Sequence, residues 1–211
     1  MSKLPVKNLP LMFPISPRGN MKLSRTDVCM KIFNDEQCNS LLEDLDETAW
    51  RVEEMKLVSG ENDWYRKVQS VFCPIDAENY FPLISISHMI SEINLRNWQF
   101  DITGMSLVED HPKIFKYIDE RGDFYDWHQD LGPSASQRKL SFSIQLSHSD
   151  DYEGGDLELF GNTLGEDPDK EKRRERGNII VFPSYEYHRV KVVTKGVRYS
   201  LVGWIEGPAF Q

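Results

Sequence analysis

The sequence predicts a mainly β domain, a jelly-roll or barrel with helices packed on it, and three observations carry that expectation. Apolar residues recur with a period of two from Trp98 to Trp204, and glycine- and aspartate-rich turns cut that stretch into seven or eight short strands. The segments with helical period all come earlier in the chain. The length of 211 residues and a 39% hydrophobic content suit one sizeable core and no second large one.

In chain order, residues 1–20 hold Pro5, Pro10, Pro14 and Pro17 and read as an extended arm, leaving 21–211 as a single domain with its jelly-roll core at about 98–205. From Asn34, a capping residue and two early acids precede Cys38, Leu41, Leu42 and Leu45 at helical spacing, which predicts a short amphipathic helix. Residues 50–75 read as strands. A second helix is expected over Glu78–Leu95, with Phe81, Ile84, Ile86, Met89, Ile90 and Ile93 as its apolar face.

The clearest strand is Leu140–Ser147, where even positions are apolar and Ser141, Ser143, Gln145 and Ser147 occupy the odd ones. One face of it is therefore expected to be polar. Further strands are expected at Ile114–Asp119, Tyr125–Asp130, Leu157–Phe160, Ile179–Phe182, Tyr187–Val193 and Val197–Ile205. Residues 166–176 carry ten charges in eleven positions and read as a solvated loop or helical turn.

Composition narrows the function. A formal charge of -9 opposes broad attraction to nucleic acid or anionic membrane, so neither is expected as a partner. The apolar runs are too short to span a bilayer and the N-terminus has no signal-peptide core, so a cytoplasmic location is expected. Cys29, Cys38 and Cys73 form no C-x-x-C pair, which argues against a disulfide framework or a structural zinc site.

Five histidines remain as the scarce chemistry. A His-x-Asp pair on a strand places an imidazole and a carboxylate on one face. With 34 acids in the chain, about 0.8 His-x-acid matches are expected by chance, and there are two. His148-Ser-Asp150 sits in a polar turn and reads as a solvated loop. His128-Gln-Asp130 ends the aromatic strand containing Phe124, Tyr125 and Trp127, where packing can hold two ligands rigidly. His88 on a helix and His111 before Pro112 read as structural, and His188 lies late in the β region. A hairpin centred near Lys195, with Gly196 at a positive-φ position, would set His188 against Val202, Val190 against Ser200 and Val192 against Arg198. That register puts Arg198 roughly 13 Å along the face from His188. A two-residue loop would flip the parity.

The ordered set Tyr125-x-x-His128-x-Asp130, Glu153-Gly-Gly-Asp-Leu157, His188, Arg198-x-Ser200 and Gly203-Trp204 resembles the Fe(II)/2-oxoglutarate-dependent dioxygenases of the prolyl 4-hydroxylase-like branch, PKHD-type hydroxylases included. The resemblance covers about residues 114–205, and the helix opening at Phe33 also resembles the family's N-terminal segment. It implies a double-stranded β-helix, a cupin-like jelly-roll, with His128, Asp130 and His188 as catalytic Fe(II) ligands. It further implies that 2-oxoglutarate meets Arg198 and Ser200, with Tyr117, Tyr125, Ser143, Gln145 and Leu157 around it. The implied reaction uses O2, with ascorbate as reductant, releases succinate and CO2, and hydroxylates an unactivated C–H, foremost a prolyl residue in a protein or peptide. Because Asp130 is present, hydroxylation is favoured over halogenation. A free amino acid, another small molecule or a nucleobase stay open as substrates. So do a non-oxidative cupin-type metal protein and a metal-free β-sandwich. The aromatics Tyr125, Trp127, Tyr185 and Tyr187 flank the ligands and could cradle a pyrrolidine ring, and the 166–176 loop could cover a substrate.

Overall fold

Asn34 caps the first helix, α1 (Asp35–Glu43), as expected: its side-chain oxygen accepts the Gln37 N–H at 2.9 Å, and Gln37 returns the bond to the Asn34 N–H at 3.0 Å. The computed structural model describes residues 26–43, 45–56, 64–74, 81–106, 110–164, 167 and 169–209, so the arm expected at 1–20 lies outside the described residues.

Among the described residues, eleven strands form one curled, antiparallel sheet. They are β1 (Val28–Lys31), β2 (Arg51–Lys56), β3 (Trp64–Phe72), β4 (Lys113–Ile118), β5 (Phe124–His128), β6 (Arg138–Gln145), β7 (Tyr152–Gly154), β8 (Leu157–Leu159), β9 (Asn178–Pro183), β10 (His188–Val190) and β11 (Val193–Glu206). Hydrogen bonding runs β1-β9-β6-β11-β4-β3-β5-β10-β8, with β2 added on β3 and β7 on β11. The jelly-roll expectation holds. The strands before residue 98 also join the sheet, and β3 bridges its two parts by pairing with β4 through Gln69–Phe72 and with β5 through Arg66–Lys67.

The curl makes two cores. On the outer face, Leu140, Phe142, Ile144, Ile179, Val181 and Leu201 pack with Cys38 of α1 and with Ile86, Ile90 and Ile93 of α2 (Phe81–Asn97). Inside, Val68, Phe115, Tyr117, Leu157, Leu159, Ile180, Phe182 and Val190 close the sheet on itself. The apolar side of α2 is narrower than expected. Its buried stripe runs Leu83, Ile86, Ile90 and Ile93, and Ile84, about 100° round the helix from Leu83, is exposed.

One face of β6 is polar as expected, and Ser141, Ser143 and Gln145 point from it into the curl, where they are buried. The hairpin near Lys195 does not exist: β10 pairs β5 and β8, whereas β11 pairs β4, β6 and β7. Gly196 does take a positive φ of 75°, but it does so against β7, where a side chain would strike the Asp151 carbonyl. The run at 166–176 contains a helical turn, one of the two forms expected of it, α3 (Lys170–Arg174). Lys170, Glu171 and Lys172 are exposed, but Arg173 is 4% exposed and binds Asp27 at 3.0 Å and Asp167 at 2.5 Å. No helix among the described residues is long and apolar enough to cross a membrane.

Candidate metal centre and its cavity

Tyr125-x-x-His128 poses a problem for a regular strand, since residues three apart face opposite sides. The register resolves it. His188 pairs with His128 and Val190 pairs with Tyr125, so two residues of β10 span three of β5 through a bulge. Tyr125 and His128 thereby both face inward, and their rings stack with centroids 3.5 Å apart and planes 10° apart. Asp130 follows past the end of β5, where its backbone N–H donates to the Ser184 carbonyl at 3.0 Å.

His128, Asp130 and His188 converge, with one ligand atom from each within 4.8 Å of the others. His128 Nε2 lies 3.8 Å and His188 Nε2 lies 3.6 Å from the Asp130 carboxylate. Both imidazoles are oriented in the same way: the Nδ1–H of His128 donates to the Asp126 carbonyl at 2.7 Å, and that of His188 to the Glu186 carbonyl at 3.0 Å. Each Nε2 is left as a bare lone pair aimed at the carboxylate, which is the tautomer a metal requires. Burial, then the neighbouring His188, pushes the His128 pKa down to about 3, so this imidazole stays neutral. Burial works against ionising Asp130, yet His188, His128 and the Ser141 hydroxyl, which donates to it at 2.7 Å, hold its pKa below the usual carboxylate range. Two imidazoles and one carboxylate converging in this way fit a divalent iron with one face open.

The cavity at this centre has a volume of about 160 Å³. Tyr117, Tyr125, Ser143, Leu157, His188 and Ser200 are among its walls, so most of the expected residues come together. Arg198 and Gln145 do not line it but lie deeper. Arg198 is 2% exposed, two positions along β11 from Ser200, whose hydroxyl its Nη1 faces at 3.5 Å, and its guanidinium lies over the Tyr117 ring at 5.4 Å. Burial pushes the Tyr117 hydroxyl up to about 12, so it remains a donor. Gln145 is the register partner of Ser200, and its amide donates to the Tyr152 hydroxyl at 3.1 Å. Gly155, at φ 62°, lets the Glu-Gly-Gly-Asp turn pass against Arg198, because a Cβ there would stand 3.1 Å from its Cδ.

His148 and Asp150 are exposed and belong to a turn, with His148 Nε2 meeting Arg176 at 2.9 Å. His111 donates to the Cys73 carbonyl at 2.9 Å. His88 is exposed on α2. Tyr185 and Tyr187 are exposed, whereas Trp127 is half-buried between Arg189 and Phe160. Three cationic wall residues escaped the sequence reading. Arg66 lies over the Tyr125 ring at 4.5 Å, Lys113 joins it on Glu53, and Arg138 stacks on Trp204 at 3.7 Å while holding Asp110 through two bonds. Only the registers of β3, β4 and β6 reveal them, and no spacing in the sequence sets those registers.

Residues 112–206 match the model of the 2OG-Fe(II) oxygenase superfamily. A PKHD-type hydroxylase of Synechococcus sp. (strain CC9605) is 40% identical over 106 residues, covering 50% of this chain and 46% of that protein. A second, from Synechococcus sp. (strain CC9902), is 46% identical over 88 residues, or 41% and 38% of the two chains. The matched segments thus span less than half the length of these relatives. In fold, the chain is similar to a prolyl hydroxylase from Trichoplax adhaerens, solved in complex with a hypoxia inducible factor peptide fragment, with a TM-score of 0.62 at 18% identity over 89% of this chain and 88% of that one. It is also similar to a Pseudomonas putida prolyl-4-hydroxylase, with a TM-score of 0.58 at 18% identity over 87% and 94%.

Proposed function

Since residues 112–206 match the model of the 2OG-Fe(II) oxygenase superfamily, we propose that the chain is a 2-oxoglutarate-dependent dioxygenase that hydroxylates an unactivated C–H, foremost on a prolyl residue of a protein or peptide. One observation carries the reading: two imidazoles with Nε2 bare and one carboxylate converge in a cavity, and a buried arginine lies behind its Ser200 and Tyr117 walls.

His128, Asp130 and His188 would hold Fe(II), which with O2 and 2-oxoglutarate supplies oxidising power and releases succinate and CO2. The protein's own work is placement. Arg198 offers a permanent charge and a planar fork to the distal carboxylate of 2-oxoglutarate, with Ser200 and Tyr117 donating alongside. Ser143 and Leu157 form side walls. Tyr125, stacked on His128, keeps that ligand from turning and keeps water from it. Gln145 braces the deep end through Tyr152.

Size supports a large substrate that presents one side chain. About 160 Å³ is below the roughly 300–1,000 Å³ of sites that enclose a whole drug-sized ligand, and 2-oxoglutarate takes much of it. The peptide held by the Trichoplax adhaerens neighbour agrees with that. Ascorbate as reductant and a cytoplasmic location belong to the same proposal, the latter resting on free Cys29, Cys38 and Cys73. The test is conversion of 2-oxoglutarate to succinate by the purified protein with Fe(II) and ascorbate. Tight Fe(II) binding that survives His128→Ala and Asp130→Ala together would remove the metal assignment.

A further inference from the structure

The open end of the curl continues beyond the metal cavity. A groove of about 680 Å³ lies between the loop from Leu45 to Trp50 and the ends of β2 and β3, and Lys113 lines both it and the cavity. Register places Arg51 and Glu53 of β2, Ser70 and Phe72 of β3 and Lys113 of β4 on one inner face of the sheet, since Arg51 pairs with Ser70, Glu53 with Val68 and Phe72 with Lys113.

Charge on this face departs from the balance of the chain. Glu53 is the carboxylate shared by Arg66 and Lys113, so one acid serves two cations. Arg51 has no ion-pair partner among the described residues, and its guanidinium lies over the Phe72 ring at 5.7 Å. Lys113 approaches the same ring, also at 5.7 Å, and Phe72 is 49% exposed. The groove's other acid, Asp46, keeps its negative charge while accepting from the N–H and hydroxyl of Thr48 at 2.8 and 2.6 Å. Arg51, Arg66 and Lys113 thus stand against Glu53 and Asp46, so in a protein of net charge -9 this aromatic face is locally positive, and it shares Lys113 with the metal cavity.

Resting on the function proposed above, we propose that the groove holds the segment flanking the hydroxylated residue, and that this segment is acidic. A glutamate or aspartate near the target would settle between Arg51 and Lys113, over the Phe72 ring edge, while the target side chain enters past Lys113 to the metal. A basic segment would meet Arg51, which has no acidic partner among the described residues, and be repelled.

Fluorescence anisotropy of labelled synthetic peptides on the full chain tests this, using a central proline flanked by glutamates, by glutamines or by lysines. The glutamate peptide should bind at least fivefold tighter than the glutamine peptide, with the advantage shrinking as salt is raised, and the lysine peptide should bind weakest. Arg51→Glu, at an exposed position, should reverse the order of the glutamate and lysine peptides. Equal binding of all three, binding of none, or an order unmoved by Arg51→Glu overturns the groove assignment. Peptide-free conversion of 2-oxoglutarate to succinate reads the function separately, so failure of the groove and failure of the dioxygenase assignment give different results.

Discussion

His128 and His188 are direct register partners across β5 and β10, their ring centroids lie 4.1 Å apart, and each ties its Nδ1–H to the carbonyl two residues before it. The pair is thus built as two copies of one local device. A backbone carbonyl sets the tautomer, and the sheet sets the separation.

A pH dependence follows from His128. Its folded pKa is depressed to about 3 from an ordinary value of 6.5, so between those values the unfolded chain binds a proton that the folded chain refuses. Stability of the metal-free protein should be level above pH 7 and should fall as the pH drops through 6.5, by at most about 1.4 kcal/mol per pH unit from this group. The depressed Asp130 adds a further loss at lower pH, with the same sign. Denaturant titrations from pH 8 to 4 should show the decline in the native sequence and a shallower one in His128→Gln. Equal slopes would mean that the buried imidazole does not control it.

Ser141 holds the Asp130 carboxylate at 2.7 Å and also meets the Ser184 hydroxyl at 3.0 Å. Ser141→Ala should leave the fold intact and weaken Fe(II) binding by about 10–100-fold, the usual loss when a ligand's supporting bond is removed. Equilibrium dialysis against Fe(II) under anaerobic conditions measures it, and undiminished affinity would show that the sheet alone orients the carboxylate.

Much of this was legible in the sequence for physical reasons. The alternation in Leu140–Gln145 survives because each face of β6 meets a different environment, and the Asn34 cap is purely local chemistry. The proposed metal ligands stood out from the decoy at His148 because rigid aromatic packing around His128 is written in consecutive residues. What failed was long-range register. A hairpin near Lys195 was the cheapest local reading of Gly196, yet β11 takes all its partners from distant strands, and a positive φ does not say which strand lies opposite. Arg66 and Lys113 were invisible for the same reason.

Arg198 has no acidic partner among the described residues although it is almost wholly buried. A buried cation without a counter-ion costs stability until an anion arrives. Arg198→Met should therefore leave the melting temperature of the ligand-free protein unchanged or higher. At the same time, loss of a buried charge pair with 2-oxoglutarate should cost about 2–5 kcal/mol of co-substrate binding, a rise in KM of roughly 25-fold or more. Scanning calorimetry and succinate assays read the two effects independently. An unchanged KM would take 2-oxoglutarate away from the deep end of the cavity.

Arg173 is the opposite case, a buried cation whose anions are in place. It binds Asp27 beside β1 and Asp167 in its own segment, and so ties the charged run of 166–176 to the sheet. Arg174 strengthens the attachment through Asp156 at 2.5 Å and the Gly154 carbonyl at 2.9 Å. These bonds clasp the segment to the sheet, while Lys170, Glu171, Lys172 and Glu175 stay exposed. Arg173→Ala strands Asp27 without its partner and should destabilise by about 3–5 kcal/mol. Arg173→Met combined with Asp27→Leu should recover most of that, because the apolar pair leaves no buried charge behind. The double variant should also convert 2-oxoglutarate with an unaltered KM. If stability returned while peptide-dependent turnover alone stayed low, the segment would instead be a substrate cover, and its ion pairs the hinge that sets it.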